Sequence, residues 1–370
     1  MMMQLEDLLL EMIERKASDL HLSAGQPPNY RVDGELTRSN HAPFGRDDLA
    51  TLLFSVLNND QRRHLEQVWE LDFSFGISNG TRFRANYYKQ KSSYAAAFRI
   101  INSNIPPMQQ LGLPDVVLDL AERPRGLILV TGPTGSGKSS TLASMIDYLN
   151  LNHALHILTI EDPVEFVHRS KKSLIHQREL SHDTRSFENA LKSALREDPD
   201  VILLGEMRDL ETIRLAITAA ETGHLVMGTL HTSNASQTVD RIVDVFPGEQ
   251  QKQIRTQLSN SLIGVLSQTL LSRVDPVTKE KKGRCCAVEV LVNTPAIANL
   301  IRESKTAQIY SSIQTGAAFG MQTLEHSLKA LYTKSQITLE DAMGATSRPE
   351  EFKRLISEGQ SAGSKATLFG

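Results

Sequence analysis

The chain has 370 residues, room for about two domains of roughly 150 residues each. With 40% hydrophobic and 22% charged residues it has the composition of a globular protein, and a net charge of −3 excludes the broad basic field of a nucleic-acid binder. Its two cysteines, Cys285 and Cys286, are adjacent and form no C-x-x-C pair, so neither a disulfide framework nor a zinc site is expected and a reducing cytosol fits. The N-terminus lacks the basic and apolar regions of a signal peptide, and no apolar run approaches the ~18 residues of a membrane span, so membrane association would need a partner.

In chain order, Leu5, Leu8, Leu9, Met12 and Ile13 share one helical face. Ser18–Leu22 alternates, and Tyr30–Leu36 reads as two short strands about an Asp33–Gly34 turn. Leu71, Phe73, Phe75 and Ile77 alternate again. An Asn79–Gly80 turn then leads into Arg82–Tyr87, which places Phe83, Ala85 and Tyr87 on one face and Arg82, Arg84 and Asn86 on the other. A further strand, 95–101, carries Arg99. Residues 1–101 are therefore expected to form a small α+β domain. Ile105-Pro106-Pro107-Met108 and Gly112-Leu113-Pro114 break the pattern and mark an interdomain linker over 102–116.

Residues 117–360 are expected to form an α/β domain with C-terminal helices, because short apolar strands begin to alternate with helical spacing. Leu127–Val130 is a buried strand. Leu142, Met145, Ile146 and Leu149 stripe a helix, and between them lies Gly132-Pro133-Thr134-Gly135-Ser136-Gly137-Lys138-Ser139-Ser140. Strand, G-x-x-x-x-G-K-S loop and helix together make a phosphate-binding loop. Its N–H groups turn inward at the positive end of a helix, Lys138 brings a mobile charge to the β- and γ-phosphates, and the Ser139 hydroxyl is placed for Mg²⁺. Strands follow at 156–160, 201–204 and 225–230, with a helix striped by Phe187, Leu191 and Leu195. Residues 240–270 and 320–357 read as helices, and the small, polar stretch 361–370 as a disordered tail.

Ligands of a parallel sheet bind at the carboxyl ends of its strands. Those ends carry the loop, Glu161-Asp162-Pro163-Val164-Glu165, Glu206 and His231. Glu206 stands where a Walker B acid would hold Mg²⁺. Either Glu161 or Glu165 could polarise an attacking water, and spacing does not choose between them. His231 emerges beside the phosphate site; with His224 alone it makes no metal site. By pattern alone Arg82, Arg84 and Arg99 suit a solvated, salt-bridged sheet face; the functional alternative is an arginine finger donated across a subunit interface.

Taken together, Gly132–Ser139, Thr159–Glu165, Leu204–Asp209 and Ala220–His231 resemble the Walker A, Asp, Walker B and His boxes of the secretion-superfamily ATPases. Ser18–Leu22 and the PAS-like first domain narrow the resemblance to the type IV pilus retraction ATPases. It implies a RecA-like ATPase domain and a homohexameric ring that hydrolyses ATP with Mg²⁺. Each nucleotide would lie between one RecA-like domain and a neighbour's PAS-like domain. Glu165 would be the catalytic base, Glu206 the Walker B acid, His231 the histidine nearest the nucleotide, and Arg82, Arg84 and Arg99 the charge clamp. The ring would act in the cytoplasm at the inner membrane, on a pilus platform protein and beside paralogous pilus ATPases. It would bind no nucleic acid. The family's late A-I-R-N-L-I-R-E motif stands here as 296–303, with Ala298 in place of its first arginine. Extension and secretion relatives carry an extra N-terminal domain and a four-cysteine zinc knuckle, neither of which this sequence offers.

Overall fold

The computed structural model describes residues 4–32, 34–101, 104–275 and 277–366. Contacts divide the chain into two compact units that meet between residues 103 and 104.

The first unit is α1 (Leu5–Glu14), β1 (Asp19–Ser23), β2 (Asn29–Val32), β3 (Glu35–Arg38), α2 (Arg46–Phe54), α3 (Asn59–Val68), β4 (Glu70–Gly76), β5 (Arg82–Gln90) and β6 (Ser93–Ile101). The six strands form one antiparallel sheet in the order β3-β2-β1-β6-β5-β4. The alternation decides which face is covered. Leu20, Phe83, Ala85, Tyr87 and Phe98 pack into a core with Leu5, Leu8, Leu9 and Met12 of α1. The arginines of β5 take the opposite face. Asp33, assigned to a turn from the sequence, lies outside the described residues; Gly34 beside it has φ +89°.

The second unit continues with α4 (Met108–Leu111), α5 (Val116–Ala121), β7 (Gly126–Thr131), α6 (Lys138–Asn152), β8 (His156–Glu161), β9 (Leu174–Glu179), α7 (Phe187–Ala194), β10 (Val201–Leu204), α8 (Leu210–Glu221), β11 (Leu225–Leu230), α9 (Ala235–Asp244), α10 (Gly248–Ser261), β12 (Leu262–Val274) and β13 (Lys281–Val292). The helices α11 (Pro295–Arg302), α12 (Ile309–Thr315), α13 (Leu324–Thr333), α14 (Leu339–Ala345) and α15 (Pro349–Ala366) complete it. The sheet order is β13-β12-β7-β11-β10-β8-β9, parallel throughout except for β13. All six residues of β7 are buried. Leu127 and Leu129 pack with α7 to α10, and Ile128 and Val130 with α5 and α6, so the strand feeds a core on each face of the sheet. A strand covered on both sides is apolar without alternation, which is why 127–130 reads as a continuous run.

The helical reading of 240–270 is corrected at its end. Helices α9 and α10 account for residues up to Ser261, but Leu262–Val274 is strand β12, paired with β7 and β13. Ile263, Leu266 and Leu270 have helical spacing, yet this strand too is buried on both faces and carries no period of two. The last helix continues to Ala366, past the point where polarity suggests a tail. Residues 102–103 of the expected linker and 367–370 lie outside the described residues.

Candidate nucleotide site

Four neighbouring parallel strands, β7, β11, β10 and β8, bring their carboxyl ends to one edge. In register, Thr131 of β7 lies beside Leu230 of β11, and Gly228 of β11 beside Leu204 of β10, which lies beside Ile160 of β8. The segments that follow each strand therefore converge, and they hold the loop at 132–140, Glu206, His231 and Glu165.

Residues 132–137 turn between β7 and α6 by way of positive φ at Gly132 (+139°), Gly135 (+81°) and Gly137 (+93°), the last of which is the N-cap of α6. At Gly132 the geometry admits no side chain. A Cβ there would lie 2.3 Å from the Gln268 carbonyl oxygen of β12 and 2.6 Å from Ser136 Oγ. Pro133, Thr134, Gly135 and Ser139 are exposed and Ser140 is half-buried, whereas Ser136 is buried and its hydroxyl has no partner among the described residues. Gln268 also donates to Thr141 Oγ1 at 2.7 Å, which ties α6 to β12. Lys138 is 9% exposed. Its ammonium donates to the carbonyls of Gly132 (2.9 Å) and Pro133 (3.1 Å), and burial lowers its pKa, with the charge of Glu206 opposing. The loop is thus an open cradle of backbone at a helix N-terminus with a cation on its rim, the arrangement that receives phosphate.

Glu206 follows β10 and is clasped from two sides. Oε2 accepts from Arg208 Nη2 at 2.7 Å, and Oε1 lies 3.1 Å from His231 Nε2. Arg208 above all holds this carboxyl below the usual range, so it is ionised at neutral pH. An ionised carboxylate and an exposed serine hydroxyl in the first turn of α6 are hard oxygen donors of the kind magnesium takes, so Ser139 and Glu206 fit that ion. Among the described residues no cluster of three or more His, Cys, Asp or Glu side chains forms an all-protein metal site.

The two acidic candidates after β8 part company. Glu161 is 8% exposed, and its carboxyl is consumed in building the turn. It accepts from Thr159 Oγ1 (2.7 Å), Gln177 Nε2 (3.2 Å) and the backbone N–H of Glu165 (3.2 Å), while burial raises its pKa. Glu165 is exposed at the far side of that turn, across the cis Asp162–Pro163 peptide. Spacing was silent here, and burial separates a supporting carboxyl from a free one.

Arg82, Arg84 and Arg99 belong to the first unit and share the face of its sheet opposite the core, with Arg84 and Arg99 directly paired across β5 and β6. They are not equivalent. Arg82 donates to Ser74 Oγ at 2.6 Å. Arg99 grips Asp19 Oδ1 through Nε (2.8 Å) and Nη2 (2.7 Å). Arg84 is exposed, and its guanidinium forms no hydrogen bond or ion pair among the described residues.

Residues 1–359 match the family described as type II/IV secretion system protein. The chain belongs to that family. It is 53% identical over 350 residues to the type IV pilus retraction ATPase PilT of Pseudomonas aeruginosa, covering 95% of this chain and all of that one. It is 38% identical over 357 residues to the type IV pilus ATPase PilU of the same organism, covering 96% and 92%. The crystal structure of the pilus retraction motor PilT with bound ADP superposes with a TM-score of 0.89 at 50% identity, over 95% of this chain and 99% of that one. The fold is therefore an N-terminal β-rich domain followed by a RecA-like ATPase domain, and this family member is a nucleotide-binding ATPase. Among the described residues no helix is long and apolar enough to cross a membrane.

Two features of this edge escaped the sequence. Arg208 has no role of its own in the sequence reading of the Leu204–Asp209 box, although it stands two residues from Glu206, whose Oε2 it reaches. The seat of Gly132 on β12 could not be seen without β12.

Proposed function

We propose that this chain is the Mg²⁺-dependent ATPase that drives type IV pilus retraction, working as a homohexameric ring. What chiefly supports this is likeness to PilT over nearly the whole chain, joined to a strand-end edge that unites the phosphate cradle with Glu206 and His231. Gly132, Pro133, Thr134, Gly135, Ser136, Gly137, Lys138, Ser139 and Ser140 would hold the phosphates. Ser139 and Glu206 would hold magnesium, which when bound would neutralise charge at the terminal phosphates. Glu165, free where Glu161 is engaged, takes the proton of the attacking water. His231 hydrogen-bonds at the γ-phosphate, where its contact with Glu206 lets it follow that group. Arg84, with Arg82 and Arg99 beside it, completes a neighbouring subunit's site from the first domain, as an arginine finger does. The ring works in the cytoplasm against the inner membrane, turning a pilus platform protein, beside paralogous pilus ATPases.

Deletion of the gene tests the direction of work. Abundant pili that do not retract, with loss of twitching, are expected; bald cells would mean extension instead. Purified oligomer should hydrolyse Mg²⁺·ATP; nucleotide binding without turnover would assign an accessory role of the kind PilU's likeness suggests. Mixing Arg84→Ala with Lys138→Ala subunits should restore part of the activity, since some interfaces then combine an intact cradle with an intact arginine. Absence of recovery at every ratio would sink donation between subunits.

A further inference from the structure

The stretch between β10 and α8 is fixed at alternate residues. The Gly205 carbonyl accepts from Thr229 Oγ1 (2.5 Å), and Met207 N donates to the Thr229 carbonyl (3.0 Å). Met207 is buried against Gly228, where an added Cβ would lie 2.5 Å from its sulfur. Asp209 caps α8 through Thr212 N (2.8 Å). With 205, 207 and 209 held, Glu206 and Arg208 have their stems anchored side by side and only their ends free. Arg208 is 68% exposed, so its guanidinium can leave without opening the core.

Both carboxylate oxygens of Glu206 are already engaged, Oε2 by Arg208 and Oε1 by His231. A divalent cation drawn to this carboxylate meets the Arg208 guanidinium already on Oε2, and two positive groups cannot share one carboxylate without mutual repulsion. We propose that Arg208 competes with the divalent cation for Glu206 and so sets the cation concentration at which the site fills, acting as a positioning residue through Glu206. The inference rests on the reading of Glu206 as a cation-holding residue. Arg208 thereby makes cation occupancy conditional: the carboxylate accepts the ion only where nucleotide phosphates add enough negative charge to outbid the guanidinium.

The experiment uses the full chain with ADP and manganese as the paramagnetic probe, free Mn²⁺ being counted by electron paramagnetic resonance. Arg208→Gln should tighten Mn²⁺·ADP binding roughly two- to five-fold, the scale of losing one largely exposed ion pair. Arg208→Lys, which keeps the charge and loses the fork, should fall between. Misfolding weakens binding, so a gain of affinity on deleting a side chain separates competition from a structural role. Glu206→Gln should weaken binding, and adding Arg208→Gln to it should change nothing further. If Arg208→Gln leaves Mn²⁺ affinity unchanged or weakens it while Glu206→Gln weakens it, competition is refuted and Glu206 keeps its role. If Glu206→Gln has no effect, the reading of Glu206 fails, and the proposal with it.

Discussion

Replacing Gly132 by alanine tests whether the phosphate cradle is built against β12. Two costs add. The residue sits at φ +139°, where a side chain is strained by about 1–3 kcal/mol. Its Cβ would also meet the Gln268 carbonyl at 2.3 Å, and this backbone oxygen belongs to a strand hydrogen-bonded on both sides. Overpacking of that kind costs about 1–3 kcal/mol. The sum, about 2–6 kcal/mol, is a large part of the stability of an ordinary domain. Gly135→Ala is the matched control. Its φ is +81°, but nothing lies within 4 Å of the added carbon, so only the conformational cost of about 1–2 kcal/mol applies. Urea unfolding followed by far-ultraviolet circular dichroism should show the Gly132 variant losing clearly more than the Gly135 variant. The one tryptophan, Trp69, lies in the first unit, so its fluorescence reports that unit separately. Equal losses for the two variants would refute the packing argument, whatever happens to activity.

Lys138→Ala should abolish turnover, because the β/γ-phosphates lose their partner, with little loss of stability since the ammonium bonds only loop carbonyls; steady-state phosphate release and a thermal melt check both. Glu165→Gln should bind a fluorescent ATP analogue with near-parental affinity yet turn over at least 100-fold more slowly. Glu161→Gln should instead lower the melting temperature, by loosening the 161–165 turn. Turnover by Glu165→Gln at the parental rate would move the base elsewhere. Asp19→Asn should release Arg99 from its two-pronged partner and shift the ATP concentration needed for half-maximal rate; unchanged kinetics would confine that pair to a structural role. Glu289 of β13 is buried, accepts from Ala235 N at 2.8 Å, and is pushed up to about 7 by desolvation. Its folded pKa lies above its unfolded value, so the folded chain keeps a proton that the unfolded chain has lost. The parent should therefore lose about 3 kcal/mol as pH rises from about 4.5 to about 7, and Glu289→Gln should not. Parallel pH–stability curves would contradict this.

What was legible in the sequence was local. The loop at 132–140 declares itself because strand, turn and helix adjoin in the chain, and the β5 face because alternation survives wherever one side is wet. What was hidden depended on partners distant in sequence. β12 reads as helix because burial on both faces erases the period of two. Glu161 and Glu165 have the same chemistry four residues apart, and only Thr159 and Gln177, folded around one of them, tell them apart. The three arginines look alike until Ser74 and Asp19 claim two of them.

The position of β11 between β7 and β10 carries a mechanical consequence. Neighbouring strands lie about 4.8 Å apart, so the backbones bearing the phosphate loop and Glu206 are held roughly 10 Å from each other by one intervening strand. That strand is stapled to the Glu206 side through Thr229 and registered to the loop side from Gly126 to Thr131. The sheet is thus a gauge of fixed width. Any ligand that touches both the loop and Glu206 has to bridge that width.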